Sequence, residues 1–289
     1  MQMVILAAGL GKRYGGLKQY EPVDDDGNFL IDYSIYDAIL CGYSKIIIVI
    51  KKNHLKFFEA LKARVGTKIP LEFVIQELPD DGIRASISPS GTGFALLCCE
   101  GLLDEPFLVV NADDFYGRGA LNSGMLHVPL SDNNECSCIC YRVGNTLSPH
   151  GTVKRGICNV DSGKIRRIIE SEVWVDTDKI VCRPLNSDNI VCIRESNLVS
   201  MNLFVFNPSI FRMLRQRFQM FIRDHEQDGQ EFVLSMVLDA LLSLGKIRMS
   251  CVETDAIWMG VTYRDDHDAL VKHIDDEKMK GLYPRHLWM

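Results

Sequence analysis

Residues 6–20, LAAGLGKRYGGLKQY, combine four glycines with three cations, Lys12, Arg13 and Lys18. Glycine lets the main chain approach a ligand closely and take positive φ angles, and successive backbone amides can then form an anion-binding concavity. An arginine holds phosphate oxygens in a two-pronged fork, whereas a lysine acts as a mobile point charge. Because the apolar run MVIL at 3–6 leads into the segment, we predict a phosphate-binding loop after a buried strand.

Neither of two common phosphate loops matches this segment. The dinucleotide fingerprint G-x-G-x-x-G fits Gly9 and Gly11, but Tyr14 stands where the third glycine is required. A Walker A loop needs glycine where Leu6 stands and a hydroxyl residue where Arg13 stands. A loop whose amides wrap a triphosphate remains, and the alternative is a glycine-rich turn with solvated lysines.

A second group of chemically capable residues lies in VVNADDFYG at 109–117, where an apolar run ends in Asp113 and Asp114. Carboxylate oxygens at the end of a strand suit a hard cation such as Mg²⁺. Adjacent acids at a strand end are commonly solvated, but the loop upstream favours a metal-binding role for Asp113. Asp114 either assists it or caps the following turn.

Apolar runs alternate with helical patterns in the first part of the chain, which predicts an α/β fold with a parallel sheet covered on both faces. In such sheets ligands bind beyond the carboxyl ends of the strands. The predicted strands are 3–8, 45–50, 71–75 and 106–111, and the predicted helices are 33–41, 54–65 and 92–103.

After about residue 130 the pattern predicts a mostly antiparallel layer that continues the first sheet. Its predicted strands are 135–143, 152–159, 164–170 and 199–206, followed by helices at 208–224 and 230–244, a strand at 247–253 and a helical tail from about 265. We see no repeat and no linker, so we predict one continuous domain, 1–289.

Composition limits the classes of function. The net charge of −6 argues against a nucleic-acid partner, and the chain has no run of 18 apolar residues that would span a membrane. Ten cysteines without a secretory signal suggest a reducing cytoplasm. In CSCIC at 136–140 the period of two predicts a strand with its cysteines on one face, since a zinc site usually needs a longer spacer and a second ligand pair.

The segment at 6–20 resembles the signature L-A-[AG]-G-x-G-x-R plus lysine of the nucleotidyltransferase superfamily, which includes the sugar-1-phosphate nucleotidyltransferases (NDP-sugar pyrophosphorylases). Its KQY ending is also similar to the cytidylyltransferases of isoprenoid synthesis. Further landmarks follow in the family's order over roughly 1–265. The resemblance implies a GT-A-like fold, with a Rossmann-like, mostly parallel central sheet, helices on both faces and a smaller antiparallel layer. It divides the chain into a nucleotide-binding half (about 1–130), an acceptor-binding half (about 131–265) and a helical tail (266–289).

The resemblance also implies roles for single residues. Gln76 matches the family's base-reading glutamine, SGTGFALL at 90–97 resembles its G-T-x-x-A-L element, and Asp113 stands where the family binds catalytic Mg²⁺. The implied catalytic residues are Arg13, Lys18 and Asp113. The implied nucleotide-binding residues are Leu6, Ala7, Ala8, Gly9, Gly11, Lys12, Gln76, Gly91, Thr92 and Ala112.

The acceptor side matches less closely. Gly151, Lys154, Glu170 and Asn202 fall near the family's acceptor-binding positions, but ESEV at 170–173 replaces the E-K-P element and its lysine. Lys154 and Arg155 are the alternatives for that lysine. AIWMGVTYRDD at 256–266 resembles W-x-D-x-G-T, yet Gly260 stands where the second metal-binding aspartate would fall. The nearby acids, Asp255, Asp265 and Asp266, remain unranked.

We therefore expect a Mg²⁺-dependent enzyme that transfers a nucleoside monophosphate from a nucleoside triphosphate, for which Gln76 suggests a pyrimidine base, to a sugar 1-phosphate. The alternatives are a cytidylyltransferase for phosphocholine or a polyol phosphate, and a nucleotide-binding regulatory protein that has lost the chemistry. A nicotinamide-dependent dehydrogenase is suggested only by fold class and by Gly9 and Gly11. A homo-oligomer is compatible with this class of fold.

Overall fold

The computed structural model describes residues 1–9, 21–77, 91–129, 134–224, 230–260 and 265–289. Within them, eleven strands form one sheet and two short strands form a separate pair. None of the helices in these ranges combines the length and the apolar character that crossing a membrane requires.

Four parallel strands form one side of the sheet, in the order β4-β1-β2-β3. β1 and β2 are buried along their whole length, and β4 is buried except at its last residue, because helices cover both faces. Backbone bonds from Ala7 N–H to Val49 O (2.8 Å) and from Ala112 N–H to Leu6 O (3.0 Å) align the strand ends. The bounds are β1 Gln2–Leu6, β2 Ile46–Ile50, β3 Leu71–Ile75 and β4 Phe107–Asn111.

The other side of the sheet is mostly antiparallel and partly closes on itself. Its strands are β6 Glu135–Arg142, β7 Val153–Asp161, β8 Lys164–Asp176, β9 Lys179–Pro184, β10 Val191–Ile193, β11 Leu198–Phe206 and β12 Arg248–Glu253. β11 pairs with β4 and joins the two sides. Five of these strands pair in a closed circuit, which we call the five-strand ring. Its pairings are β6–β11, β11–β7, β7–β8, β8–β12 and β12–β6.

Helices pack on both faces of the sheet, as their apolar residues at three- and four-residue spacing require. In α2, for example, Phe58, Leu61 and Val65 are buried. One face carries α1 Leu30–Cys41, α2 Leu55–Val65 and α4 Arg118–Leu126, and the opposite face carries α3 Thr92–Leu97, α5 Ile210–Asp224 and α6 Leu234–Ser243. The short strands β5 Asp114–Phe115 and β13 Met259–Gly260 pair with each other.

The C-terminal segment docks on α1 through buried carboxylates. It comprises α7, Asp265–Met279, and the residues that follow. Tyr283 OH donates to Asp37 Oδ2 (2.6 Å), and Arg118 Nε donates to Asp37 Oδ1 (2.7 Å). Burial raises the pKa of Asp37, although both hydrogen bonds act in the opposite direction. Trp288 Nε1 donates to Asp32 Oδ1 (2.8 Å), so two buried acids of α1 anchor the end of the chain.

The predicted α/β architecture is confirmed, and several predicted bounds need correction. The helix predicted over 92–103 ends at Leu97, and Cys98 and Cys99 lie in the turns after it. The strand predicted over 164–170 continues to Asp176, because it pairs with β9 as well as with β7. Sequence reasoning did not find α4, β5, β9, β10 or β13.

Replacing Asp37 with alanine removes the partner of both the Arg118 guanidinium and the Tyr283 hydroxyl. Loss of a buried acceptor by these two groups should lower the free energy of unfolding by about 2–3 kcal/mol. The expected loss is not larger because solvent can partly replace the acceptor of Arg118, whose side chain is partly exposed. The matched control is Asp161→Ala, which removes an acid paired with Arg166 on the surface and should barely change stability. Urea unfolding measures both, and equal effects would show that Asp37 does not anchor the tail.

Candidate active site

The carboxyl ends of the parallel strands bring several predicted nucleotide-binding residues together. The bond between Ala112 N–H and Leu6 O joins the segment after β1 to the segment after β4. Asp113 is half-buried at this edge, and Gly9 is exposed. Leu6, Ala7, Ala8 and Ala112 are buried and support the edge through their backbone. Gly11, Lys12, Arg13 and Lys18 lie outside the described residues.

Gln76 follows β3 and lies beside the start of α3. Its backbone N–H donates to Ile50 O (2.8 Å), and its side-chain Nε2 donates to Gly91 O (3.5 Å). With 6% of its surface exposed, the amide is held in one place by the ends of two strands and by α3. Gln76 and Gly91 therefore adjoin at the carboxyl-terminal edge of the parallel strands, and their role in nucleotide binding stays a prediction.

Thr92 is the first residue of α3, and its side chain contacts a different helix. Gly91, with φ +107°, occupies the cap position. The Thr92 hydroxyl accepts a hydrogen bond from Leu234 N–H (3.0 Å), and Gly93 N–H donates to Phe232 O (2.8 Å). The side chain of Thr92 thus fastens the start of α6 to the start of α3, a contact between residues far apart in the chain.

The turn after β4 is fixed by the hydroxyl of Tyr116. This hydroxyl accepts from Asn111 N–H (3.0 Å), and it lies 2.8 Å from Met201 O and 3.2 Å from Asp114 Oδ2. Burial first, and the charge of Asp114 next, raise the pKa of Tyr116 well above its ordinary value, so the hydroxyl keeps its proton. Asn111 Nδ2 also donates to Asp114 Oδ2 (2.8 Å). Asp113 therefore stands on a turn braced on both sides.

Gly260 lies directly opposite Asp114 in the β5–β13 pair. A Cβ atom at Gly260 would meet the Trp258 ring at 2.5 Å and Asp114 Oδ1 at 3.0 Å. Such contacts leave no room for a side chain unless the indole moves. Packing against Trp258 and Asp114 therefore accounts for a residue without a side chain at position 260, and Asp114 is a carboxylate adjacent to Asp113 in the sequence.

Arg155 is buried, with 5% of its surface exposed, and its guanidinium lies 4.5 Å from the centre of the Trp258 ring. Its Nε donates to Thr146 O (3.1 Å), and its Nη1 donates to Lys154 O (2.7 Å). Burial lowers the pKa of Arg155 to about 10, so the group remains charged at neutral pH. The negative charges of three carboxylates raise this pKa and so partly offset the effect of burial. They belong to Asp114, Glu170 and Asp266.

The difference in burial distinguishes Lys154 from Arg155, the two residues that could replace the lysine missing from the E-K-P element. The Arg155 guanidinium donates to backbone carbonyls and is shielded from solvent, whereas Lys154 on the same strand is exposed. The burial of Arg155 argues against it as the replacement for that lysine. Of the two alternatives, Lys154 is the cation that solvent reaches.

The remaining acceptor-side residues reach the same region by separate contacts. Ser235 OH donates to Glu170 Oε1 (2.5 Å). Burial raises the pKa of Glu170, and Ser235, Lys154 and Arg155 oppose that change. Asn202 has φ +61° at an irregularity of β11, next to the Met201 carbonyl that faces Tyr116.

Gly151 lies in an exposed turn bridged to Ser148, and Ser148 Oγ donates to Asp266 Oδ1 (3.0 Å). Asp266 acts electrostatically on Arg155, so the structure connects this acid, one of the three left unranked, to the surroundings of Arg155. Sequence reasoning missed Asn111 and Tyr116. In the sequence, these two residues are only a polar residue and a tyrosine on either side of the two acids. Their spacing is not specific for any kind of site.

The family model described as Nucleotidyl transferase matches residues 2–269. Among curated proteins, no sequence matches the chain. The fold is similar to that of the inositol-1-phosphate CTP transferase from T. maritima, with a TM-score of 0.63 and 14% identity over 95% of this chain and 96% of that one.

Two further solved structures share the fold. One is described as a glucose-1-phosphate thymidylyltransferase from Bacillus anthracis, with a TM-score of 0.61 and 15% identity over 96% of each chain. The other is a UDP-glucose pyrophosphorylase complexed with UDP-glucose, with a TM-score of 0.61 and 17% identity over 96% of this chain and 98% of that one. At these identities the similarity establishes the fold alone.

Gly91→Ala and Gly101→Ala form a matched pair that tests the packing of α3 against Phe232. Both glycines have positive φ, +107° and +83°, so both variants carry the strain of a left-handed residue. Only at Gly91 would the new methyl group meet backbone atoms, with Phe232 O at 2.6 Å, whereas Gly101 has open space. Thermal unfolding should therefore show Gly91→Ala to be less stable by about 1–3 kcal/mol beyond its control. Equal losses would contradict the described contact.

Proposed function

Because the chain belongs to the nucleotidyl transferase family, we propose that it transfers a nucleoside monophosphate from a pyrimidine nucleoside triphosphate to a sugar 1-phosphate and releases pyrophosphate. One observation carries the proposal. The half-buried side chain of Asp113 lies just after the carboxyl end of β4. The backbone of β4 is hydrogen-bonded to that of β1, and the glycine-rich segment continues from the end of β1. An acid beside a phosphate loop is the arrangement that this chemistry requires.

In the proposed reaction a phosphate oxygen of the acceptor bonds to the α-phosphorus. The bond from that phosphorus to the oxygen bridging to the β-phosphorus breaks, and pyrophosphate leaves with the electron pair. Positioning and neutralisation of charge supply most of the catalysis in such transfers. We assign Arg13 to the β- and γ-phosphates and Lys18 to the α-phosphate, both on the family signature, since these residues lie outside the described ranges.

The acids at the end of β4 fit a magnesium ion by their donor chemistry, because hard cations prefer carboxylate oxygens. Asp113 would hold the ion directly. Asp114 is buried and receives two hydrogen bonds on Oδ2, so its role is to fix the turn and to add negative charge beside Asp113. When bound, Mg²⁺ would neutralise phosphate oxygens and so favour departure of pyrophosphate.

We assign base recognition to Gln76, whose amide can donate and accept at once and is held between β3 and α3. On the acceptor side, Lys154 supplies an exposed cation for the acceptor phosphate. Glu170 and Asn202 supply hydrogen-bonding groups for hydroxyls of the acceptor, and Gly151 lies in the turn before β7. Two structural neighbours are named for inositol 1-phosphate and glucose 1-phosphate, and a third is complexed with UDP-glucose, which supports this class of acceptor.

A polyol phosphate is the second candidate acceptor. The observation that favours it is the similarity to an enzyme named for inositol 1-phosphate and CTP. The reaction at the α-phosphorus is the same in both cases, so the two candidates differ only in what the acceptor side binds. Turnover with glucose 1-phosphate and inositol 1-phosphate, each with CTP, UTP and dTTP, distinguishes them.

Asp113→Asn should lower turnover by about 100-fold or more, because it removes the charge that holds the metal beside the developing charge of the phosphates. Lys18→Ala should have a comparable effect. Pyrophosphate release measures both, and far-UV circular dichroism checks that the proteins are folded. The matched control is Asp255→Asn, whose side chain is 90% exposed, and it should keep wild-type activity. Near-normal turnover by Asp113→Asn would remove that residue from the mechanism.

Thermal unfolding with each nucleoside triphosphate, with and without Mg²⁺, tests the nucleotide directly. A ligand that binds only the native state adds about 2.7 kcal/mol of stability at 100 times its Kd. We expect a metal-dependent rise in melting temperature with CTP, UTP or dTTP and none with NAD. A rise without turnover on any acceptor would indicate a regulatory nucleotide-binding protein. A rise with NAD alone would refute the transferase proposal.

A further inference from the structure

Four cysteine thiols from three strands meet within the five-strand ring. Cys138 and Cys140 share one face of β6, Cys158 lies on β7, and Cys251 lies on β12 opposite Cys138. We call these four residues the thiol cluster. Cys136, the third cysteine of the CSCIC segment, is not among them.

The thiols of the cluster lie as close together as the ligands of one metal ion. Cys140 Sγ is 3.6 Å from Cys138 Sγ and 3.9 Å from Cys158 Sγ, and the three sulfur atoms all lie within 4.8 Å of one another. Cys251 lies directly opposite Cys138 in the register of β12 and β6, so its side chain leaves the sheet on the same face as that of Cys138. With metal–sulfur bonds of about 2.3 Å, two sulfurs of a tetrahedral site are about 3.8 Å apart.

Burial gives the cluster one accessible side. Cys138, Cys140 and Cys158 are buried, whereas Cys251 is half-buried. A cation can therefore enter past Cys251 and be held by thiols that are shielded from oxidants. Ser200, buried on the neighbouring strand β11, lies directly opposite Cys140, and a hydroxyl beside thiolate ligands is the kind of neighbour that stabilises them.

The simpler interpretation is that these thiols only pack as small apolar groups. That interpretation rested on the sequence, where CSCIC lacks a second ligand pair. The fold supplies the pair from other strands, since Cys158 and Cys251 complete the set that Cys138 and Cys140 begin. Three sulfurs within 4.8 Å of one another, with a fourth cysteine on the neighbouring strand β12, offer the number of ligands that a thiophilic cation takes in a tetrahedral site.

We propose that the thiol cluster binds one cation of the Zn²⁺ class, with Cys138, Cys140 and Cys158 as ligands and Cys251 closing the fourth position. Each thiol that coordinates releases its proton to solvent, so full coordination releases four protons and leaves the oxidation state of the cation unchanged. The ion would cross-link β6, β7 and β12. Because β7, β8 and β11 of the same ring carry Lys154, Glu170 and Asn202, the ion would stiffen the acceptor side without touching the reacting groups.

Titration of the reduced, chelator-treated full chain with Co²⁺ tests this site. The expected result is a sulfur-to-metal charge-transfer band in the near ultraviolet, with intense visible bands typical of tetrahedral coordination, that saturate at one equivalent. Zn²⁺ should displace Co²⁺ and raise the melting temperature. Cys140→Ser should weaken Co²⁺ binding by more than about tenfold. Cys192→Ser, at an exposed cysteine outside the cluster, should bind Co²⁺ as the wild type does.

Two results would overturn the proposal. The first is a wild-type protein without the charge-transfer band, and the second is a band that Cys140→Ser retains at full strength. Cys158→Ala is the second variant in case Cys140→Ser does not fold, and circular dichroism identifies that case. Since the wild-type titration uses no nucleotide or acceptor, its outcome is independent of the transferase assay.

Discussion

The buried hydroxyl of Tyr116 is the contact on which the geometry of the site depends. It accepts from the backbone of Asn111 at the end of β4, and it lies against the Met201 carbonyl of β11. The backbone carbonyl of Tyr116 in turn accepts from Tyr141 OH on β6 (2.8 Å). One residue thus fixes the turn that bears Asp113 to both sides of the sheet. A metal-binding carboxylate is useful only if its position survives binding of highly charged phosphates, and buried hydrogen bonds provide that rigidity.

The antiparallel part of the sheet, to which we assign acceptor binding, is organised around a different constraint, the buried charge of Arg155. A guanidinium without water needs acceptors for its donors, and the carbonyls of Thr146 and Lys154 supply them. Trp258 covers its face, and the carboxylates that act on its pKa come from β5, β8 and α7. The charge thereby links elements that are distant in sequence. It also opposes the rise that burial causes in the pKa of Glu170.

The sequence predicted the elements that local residue patterns determine, and it missed the features that depend on contacts between residues far apart in the chain. The strands β1, β2 and β4 are apolar runs, and α2 repeats its apolar residues at helical spacing, so local pattern was sufficient. Strand β13 has no such pattern and exists because Met259 and Gly260 pair with Phe115 and Asp114. Arg155 reads as a solvated base on a strand, and only the packing of Trp258 over it shows otherwise. The roles of Arg13 and Lys18 still rest on the family signature.

The pairing of Asp114 with Gly260 explains how this chain departs from the W-x-D-x-G-T element. A side chain at 260 would begin 3.0 Å from Asp114 Oδ1, so an acid there would place a second carboxylate against a buried one. Two such charges at about 4 Å repel by about 4 kcal/mol at an effective dielectric constant of 20, and one of them would become protonated. Asp114 and an acid at 260 are therefore alternatives for the same space. This chain places the second negative charge on Asp114, at the start of β5 and next to Asp113 in the sequence, and Trp258 fills the volume that glycine leaves free.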